Sequence, residues 1–146
     1  MPSVEESIVI NRPAEEVFAF VTTPENDRLW SSTAVERMRE GDEPIRVGSR
    51  IRAVDKFFGR RVESTLHVTE HDPSRRSMVR IEGPLKATGS YVLEPLEGGT
   101  RFRWSMDAER GLGGLYLGRI TDRLVTMIFR RQLRRDLRQL KQVLER

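Results

Sequence analysis

The chain has 146 residues, with 26 basic and 22 acidic side chains, a formal net charge of +4 and no cysteine. A chain of this length is expected to form one domain, residues 1–146, and to bury about two thirds of the surface that its unfolded form exposes. The lack of cysteine excludes disulfides, thiol catalysis and thiolate metal sites. No apolar run approaches the ~18 residues of a membrane-spanning helix. The N-terminus lacks a basic-then-apolar signal segment, so we expect a cytoplasmic protein.

The first forty residues predict a strand, two short helices and a second strand. Polar and apolar residues alternate over Ser3–Asn11, which is typical of a strand. Pro13 suits the first position of a helix, and the acidic residues that follow favour its positive end. Glu25–Trp30 predicts a second short helix, and Val35–Arg39 predicts the next strand.

Five further alternating segments, separated by turn residues, predict antiparallel strands. They are Ser49–Phe58, Arg61–Glu70, Arg76–Glu82, Leu85–Glu94 and Arg101–Asp107. Because successive side chains of a strand point to opposite faces, the alternation also predicts which residues share the inner face of the sheet.

The stretch Gly113–Arg146 contains no proline and predicts one long helix. Its apolar residues form two stripes that point in nearly opposite directions at about 100° per residue. The first stripe is Leu117, Ile120, Leu124, Met127 and Ile128, and the second is Phe129, Leu133, Leu137, Leu140 and Leu144. Toward the start of the helix, the face of the second stripe carries few large apolar residues. This predicts a sealed core at the far end of the helix and a cavity at its near end. The alternative is that both apolar faces of the helix are buried, by neighbouring elements or by a dimer partner.

The same helix accounts for the net positive charge of the chain. From Arg119 to Arg146 there are nine basic and three acidic residues. Such a helix suits nucleic acid, an anionic membrane or an acidic protein, and it equally suits a solvated surface without a partner. A solvated surface is the first expectation for this helix. Among the partners, a peripheral anionic membrane or a protein is favoured over nucleic acid, and the chain is expected to be a monomer or a homodimer.

Together these elements predict an α+β fold in which an antiparallel sheet of about seven strands faces a long C-terminal helix, with two short helices after the first strand. Residues 7–20 (SIVINRPAEEVFAF), Trp30, Gly48-Ser49 and residues 93–104 (LEPLEGGTRFRW) resemble the START-like, polyketide cyclase/dehydrase superfamily, also called SRPBCC. The resemblance covers essentially the whole chain. It implies a helix-grip fold, in which the curved sheet wraps around the helix and leaves an apolar cavity. The superfamily includes lipid and hormone carriers and aromatic-polyketide cyclases, so the fold alone does not give the function.

The expected cavity wall combines inward strand residues with residues of the helices. These are Phe20, Trp30, Ile51, Asp55, Phe57, Val62, Ser64, Leu66, Tyr91, Leu93, Phe102, Trp104, Met106, Leu115, Tyr116, Ile120, Leu124 and Met127. Asp55 shares its face with apolar residues, where a carboxyl group with a raised pKa can act as an acid or base. Pairing with an arginine, or a local turn to solvent, is the alternative. Tyr91, Ser64 and Trp104 carry polar atoms that can orient a ligand.

Three functions follow as hypotheses. The first is binding of a small hydrophobic molecule, such as a lipid, polyketide, isoprenoid or aromatic compound. The second is a polyketide cyclase or dehydratase, with Asp55 and Tyr91 as the candidate catalytic residues. The third is an interaction module that uses the basic helix. Two histidines without cysteine do not predict a metal site, and Gly111–Gly114 lacks the context of a phosphate or dinucleotide loop, so we expect no cofactor.

Overall fold

The computed structural model describes residues 3–57, 59–108 and 122–146. Its elements are β1 (Ser3–Ile10), α1 (Ala14–Val21), α2 (Asp27–Trp30), β2 (Ala34–Arg39), β3 (Arg50–Phe57), β4 (Arg60–Asp72), β5 (Arg76–Glu82), β6 (Ala87–Leu96), β7 (Gly99–Ala108) and α3 (Asp122–Leu144). A 3₁₀ turn, Pro24–Asn26, leads into α2. This order confirms the predicted α+β fold. The first part of the predicted long helix, residues 113–121, lies outside the described residues.

The seven strands of the described chain form one antiparallel sheet in the order β1-β7-β6-β5-β4-β3-β2. Strands β2 to β6 each pair with the next strand in sequence, whereas β1 pairs with β7. The first two strands therefore lie at opposite edges of the sheet. The chain between them crosses from one edge to the other through α1, which contacts β6 and β7, and α2, which contacts β2 and α3.

The tight β6–β7 turn depends on two glycines. Leu96 and Gly99 are paired, so only two residues connect the strands. Gly98 has a φ of 78°, in the left-handed region that side chains disfavour. A Cβ atom at Gly99 would lie 2.5 Å from the carbonyl oxygen of Ile10 on the neighbouring strand. The glycine pair thus permits both the reversal of the chain and the close approach of β1.

Helix α3 lies against the sheet through the second predicted stripe. All five members of that stripe are buried: Phe129, Leu133, Leu137, Leu140 and Leu144. They join residues of α1, α2, β1, β6 and β7 in one hydrophobic cluster. Full burial of a side chain of this size contributes about 1.5–3 kcal/mol, so this stripe is the principal attachment of α3 to the rest of the fold.

Polar contacts fix the same helix to the edge strand β1. Arg134 Nε donates to a carboxylate oxygen of Glu6 at 2.8 Å. Lys141 Nζ donates to the backbone carbonyl of Val9 at 2.9 Å. None of the helices in the described ranges is both long enough and apolar enough to cross a membrane.

Candidate ligand cavity

A cavity of about 180 Å³ lies between the sheet and α3. Its walls come from β2 to β7, from the end of α1, from α2 and its flanking loops, and from the middle of α3. Most of the lining surface is apolar, and the charged side chains in it belong to α2, β2, β3 and α3. The cavity therefore has an extensive apolar wall along the sheet and a charged region around α2, which contacts both β2 and α3.

Ten of the residues predicted from the sequence line this cavity. They are Trp30, Ile51, Asp55, Phe57, Val62, Ser64, Leu66, Tyr91, Trp104 and Met106. All of them except Trp30 come from strands β3, β4, β6 and β7, so the inner face of the sheet provides most of the wall.

Three other predicted wall residues belong to the packed core instead. Leu93 and Phe102 are cross-strand neighbours, 4% and 0% exposed, and Phe20 packs against the same cluster. The alternation of β6 and β7 placed Leu93 and Phe102 on the inner face correctly, but it does not tell how far along the sheet the cavity extends. At the end of the sheet that holds Leu93 and Phe102, the side chains of α1 and the leucines of α3 fill the space between helix and sheet.

The prediction for the first stripe of the C-terminal helix is wrong in the described part. Leu124 is 43% exposed and Met127 is 57% exposed, and the cavity lining does not include them. The reason is the phase of the helix: once the second stripe faces the core, positions 124 and 127 lie on the opposite side at 100° per residue. The remaining predicted wall residues, Leu115, Tyr116 and Ile120, lie outside the described residues.

The most polar feature of the wall is an ionic cluster around Arg37. The Nε of Arg37 donates to Asp27 at 2.9 Å, and its two terminal nitrogens donate to the carboxylate oxygens of Asp55 at 3.2 and 3.0 Å. The hydroxyl of Thr33 donates a further bond of 3.0 Å to Asp55. These carboxylate and guanidinium side chains are only 9–13% exposed. Asp55 is therefore paired with an arginine, which was the alternative to a free acid or base.

Asp27 is the carboxyl group of the cluster on α2. Burial raises its pKa to about 6, and the attraction of Arg37 opposes this shift only in part. Two carboxylates share one guanidinium, so the cluster carries a net charge of −1 when both are ionised. Sequence reasoning missed Asp27 and Arg37. One signal was available, since Asp27 lies three residues before Trp30 in a one-turn helix, a spacing that puts both side chains on the same side.

Asp136 of α3 contributes a third buried carboxyl group to the wall. It accepts a hydrogen bond of 3.2 Å from the backbone N–H of Ser32, in the loop after α2. Gln132, one turn earlier, donates to the Ser32 hydroxyl at 3.0 Å. Burial raises the pKa of Asp136 to about 6, although the bonds from Ser32 lower it. The loop after α2 is thus attached to α3 through polar side chains that border the cavity.

Aromatic side chains form the boundary between the cavity and the core. The rings of Trp30 and Tyr91 are 6.3 Å apart, and Trp30 meets Phe102 edge to face at 6.4 Å. Burial raises the pKa of the Tyr91 phenol, and the negative charge of Asp27 adds to the rise. The phenol therefore stays protonated near neutral pH. The indole N–H of Trp30 is buried and has no hydrogen-bond acceptor within the described residues.

The described side chains do not assemble a metal site: no group of three or more His, Cys, Asp or Glu residues comes together there. His67 instead lies 3.3 Å from a carboxylate oxygen of Glu82, and the ring of His71 packs 5.1 Å from that of Phe18.

An antiparallel sheet, a long C-terminal helix and a cavity between them define a helix-grip protein. The chain belongs to the polyketide cyclase/dehydrase and lipid transport family, whose sequence model matches residues 1–145. This confirms the resemblance seen in the sequence. A search of curated proteins by sequence gives no match.

Solved structures share the fold at low sequence identity. TTHA0849 from Thermus thermophilus is 21% identical, with a TM-score of 0.79 over 98% of this chain and 97% of its own. The Aha1 dimer from Colwellia psychrerythraea is 20% identical, with a TM-score of 0.68 over 99% and 97%. The di-domain ARO/CYC protein BexL of the BE-7585A biosynthetic pathway is 23% identical, with a TM-score of 0.72 over 99% of this chain but 47% of its own. These likenesses support the fold alone.

Proposed function

We propose that this chain binds a small hydrophobic molecule in the cavity between the sheet and α3. The apolar wall of the cavity carries the proposal, because burial of apolar ligand surface is the main driving force that such a wall can supply. An apolar protein cavity of about 150 Å³ holds benzene. The volume of about 180 Å³ therefore suits one or two rings, or a short branched chain. The family description, which includes lipid transport, supports the same class of ligand.

Native mass spectrometry of the purified protein, followed by organic extraction, tests this function. A stoichiometric hydrophobic compound in the extract is the expected result. Ser64→Leu adds apolar volume inside the cavity, so we expect it to reduce the bound fraction severalfold. Thr65→Leu is the matched control, because Thr65 is the next residue of β4 and does not line the cavity. An apo mass, together with unchanged melting temperatures across a panel of lipids and aromatic compounds, would contradict the proposal.

A second candidate function is acid–base catalysis on the bound molecule, and the buried carboxyl group of Asp27 favours it. A group with a pKa of about 6 exchanges protons readily near neutral pH, which is what a general acid or base requires. Asp27 lines the cavity, and the protonated phenol of Tyr91 lies within its electrostatic influence. Asp55 is less suited because Arg37 and Thr33 occupy its oxygens.

Deuterium exchange at the α-carbon of a cyclic ketone, followed by NMR, tests this candidate. We expect the wild-type protein to accelerate exchange with an inflection near pH 6, and Asp27→Asn to abolish the acceleration while binding of the ketone persists. Equal exchange rates with and without the protein would rule the catalytic role out and leave the binding function intact.

We also propose that the outward face of α3 docks on an anionic membrane. Arg131, Arg135 and Arg138 lie on the side of the helix opposite the core, are exposed, and form no ion pair within the described residues. Met127 and Leu124 extend the same face and are also exposed. Cationic and apolar side chains on one helical face match the interface of an anionic bilayer. Nucleic acid offers no comparable apolar phase.

Co-sedimentation with phosphatidylcholine vesicles, with and without phosphatidylserine, tests the membrane contact. We expect binding only with phosphatidylserine, and weaker binding at higher salt. Each arginine near such a surface contributes about 1 kcal/mol, so Arg131→Gln with Arg138→Gln is expected to weaken binding about thirtyfold. Arg52→Gln with Arg101→Gln lowers the net charge equally on the outer face of the sheet and is the control. Equal loss in both double variants, or tighter binding to RNA, would contradict the proposal.

A further inference from the structure

Helix α2 contributes both a hydrogen-bond acceptor and a donor to the wall of the cavity. The helix is one turn long and is closed by the backbone bond from Ser31 N–H to the carbonyl of Asp27 at 2.8 Å. Trp30 follows Asp27 at the i+3 position, so their side chains lie on the same side of the turn. Both residues line the cavity.

The donor is the indole N–H of Trp30. The residue is 5% exposed, and its Nε1 has no acceptor among the described residues. A buried N–H without a partner is destabilising, and indole nitrogen can only donate. Ring contacts with Tyr91 and Phe102 on the sheet hold the indole in place. A ligand that supplies an acceptor therefore satisfies a group that the protein itself leaves unsatisfied.

The neighbouring group is the carboxylate of Asp27. Arg37 binds one of its oxygens, and no described residue donates to the other. Arg37 itself is occupied: Asp27 takes its Nε, and Asp55 takes both terminal nitrogens. The cluster therefore offers negative charge to the cavity, and its guanidinium is already committed to protein carboxylates. An anionic ligand group placed here would meet repulsion without a counter-ion.

We infer that the cavity selects uncharged one- or two-ring molecules that carry a keto or hydroxyl oxygen, and that Trp30 Nε1 donates to this oxygen. A hydroxyl on the ligand donates in turn to Asp27. Hydrocarbons of the same shape bind less tightly because they leave the indole unsatisfied, and aromatic or fatty carboxylates are rejected by Asp27. This inference rests on the proposed binding function and specifies the ligand of the same cavity.

Calorimetric titration with four probes of similar shape tests it: tetralin, 1-tetralone, 1-naphthol and 1-naphthoate. A satisfied hydrogen bond stabilises the complex, so we expect 1-tetralone and 1-naphthol to bind about tenfold more tightly than tetralin, and 1-naphthoate to bind least. Trp30→Phe keeps an aromatic ring but removes the N–H, and is expected to erase the preference for 1-tetralone over tetralin. Trp104→Phe is the matched control, because Trp104 also lines the cavity but its indole is not among the buried unpaired groups.

An NMR measurement on the wild-type chain makes the test independent of whether Trp30→Phe folds. The chain has two tryptophans, and the Trp104→Phe spectrum assigns their indole N–H signals. The Trp30 signal is expected to move downfield with 1-tetralone and much less with tetralin. Equal affinity for tetralin and 1-tetralone, or tight binding of 1-naphthoate, would overturn the inference while the binding function stands. Failure of all four probes to bind a protein that carries a co-purified hydrophobic compound would overturn the inference alone, and the same failure together with an apo mass would overturn both.

Discussion

Replacing Arg37 with methionine tests whether the ionic cluster is a structural requirement of the cavity wall. The change keeps an apolar stem of similar length but removes the partner of two buried carboxylates, at 2.9 Å from Asp27 and 3.0 Å from Asp55. Loss of one partner from a buried ion pair typically costs about 3–5 kcal/mol, because the remaining charge is left uncompensated. For a chain of this size, each kcal/mol lowers the melting temperature by about 2–4 °C. We therefore expect Arg37→Met to melt about 10 °C or more below the wild type at pH 7.

The same variant has a predicted pH dependence. The pKa of Asp27 is about 6 in the folded wild type, above its usual value of 3.8, and removal of Arg37 raises it further. A carboxyl group with a raised pKa binds more protons in the folded state, so stability falls as the pH rises from about 4 through the folded pKa. The deficit of Arg37→Met relative to the wild type is therefore largest above pH 7 and shrinks on acidification to pH 5.

Arg39→Met is the matched control for this experiment. Arg39 is two residues further along β2 and pairs with Glu25, whose side chain is 50% exposed. An exposed pair of this kind contributes about 0–1 kcal/mol. Differential scanning fluorimetry between pH 5 and 8 compares the three proteins. A loss in Arg37→Met no greater than that in Arg39→Met, or a loss that does not diminish at pH 5, would refute the role assigned to the cluster.

Two further predictions concern other parts of the fold. Burial raises the pKa of Asp136 to about 6, so its ionisation lowers stability as the pH rises from about 4 to 6. Asp136→Asn keeps an acceptor for the Ser32 N–H, and we expect it to melt above the wild type at pH 7 and to lose the advantage near pH 4; a lower melting temperature at pH 7 would contradict this. Gly99→Ala places a Cβ 2.5 Å from the carbonyl oxygen of Ile10, so β1 must shift. We expect a loss of about 1–3 kcal/mol in chemical denaturation, and an unchanged midpoint would show that the edge strand adapts freely.

The sequence predicted the strands and their faces well because alternation is a local property. Ile51, Asp55 and Phe57 fall on one face of β3 in the sequence, and all three line the cavity. The extent of the cavity along the sheet is not local, since it depends on which helical side chains reach each strand. For that reason Leu93 and Phe102 were expected at the cavity and are in the core.

The phase of α3 could not be chosen from the sequence. Two apolar stripes of similar length point in nearly opposite directions, and periodicity alone gives both equal weight. The stripe that contains Leu137 and Leu140 faces the core, with exposures of 1% and 0%. Met127 belongs to the other stripe and is exposed as a consequence. The Asp27–Arg37–Asp55 cluster was missed for a related reason: its members come from a helix and two strands, and only the fold brings them together.

The attachment of α2 explains why the space beside it stays open. Asp27 is bound to Arg37 on β2, Trp30 packs on Phe102 of the sheet, and the next loop is bound through Ser32 to Asp136 of α3. At this end of the molecule, charged and polar contacts therefore set the distance between helix and sheet. Elsewhere, the packed leucine side chains of the core set the distance between helix and sheet. Closure of the cavity would move these carboxylates into apolar surroundings, where an ionised group is strongly disfavoured. These polar contacts thus oppose collapse of the cavity. A small apolar ligand can fill the cavity without disturbing them.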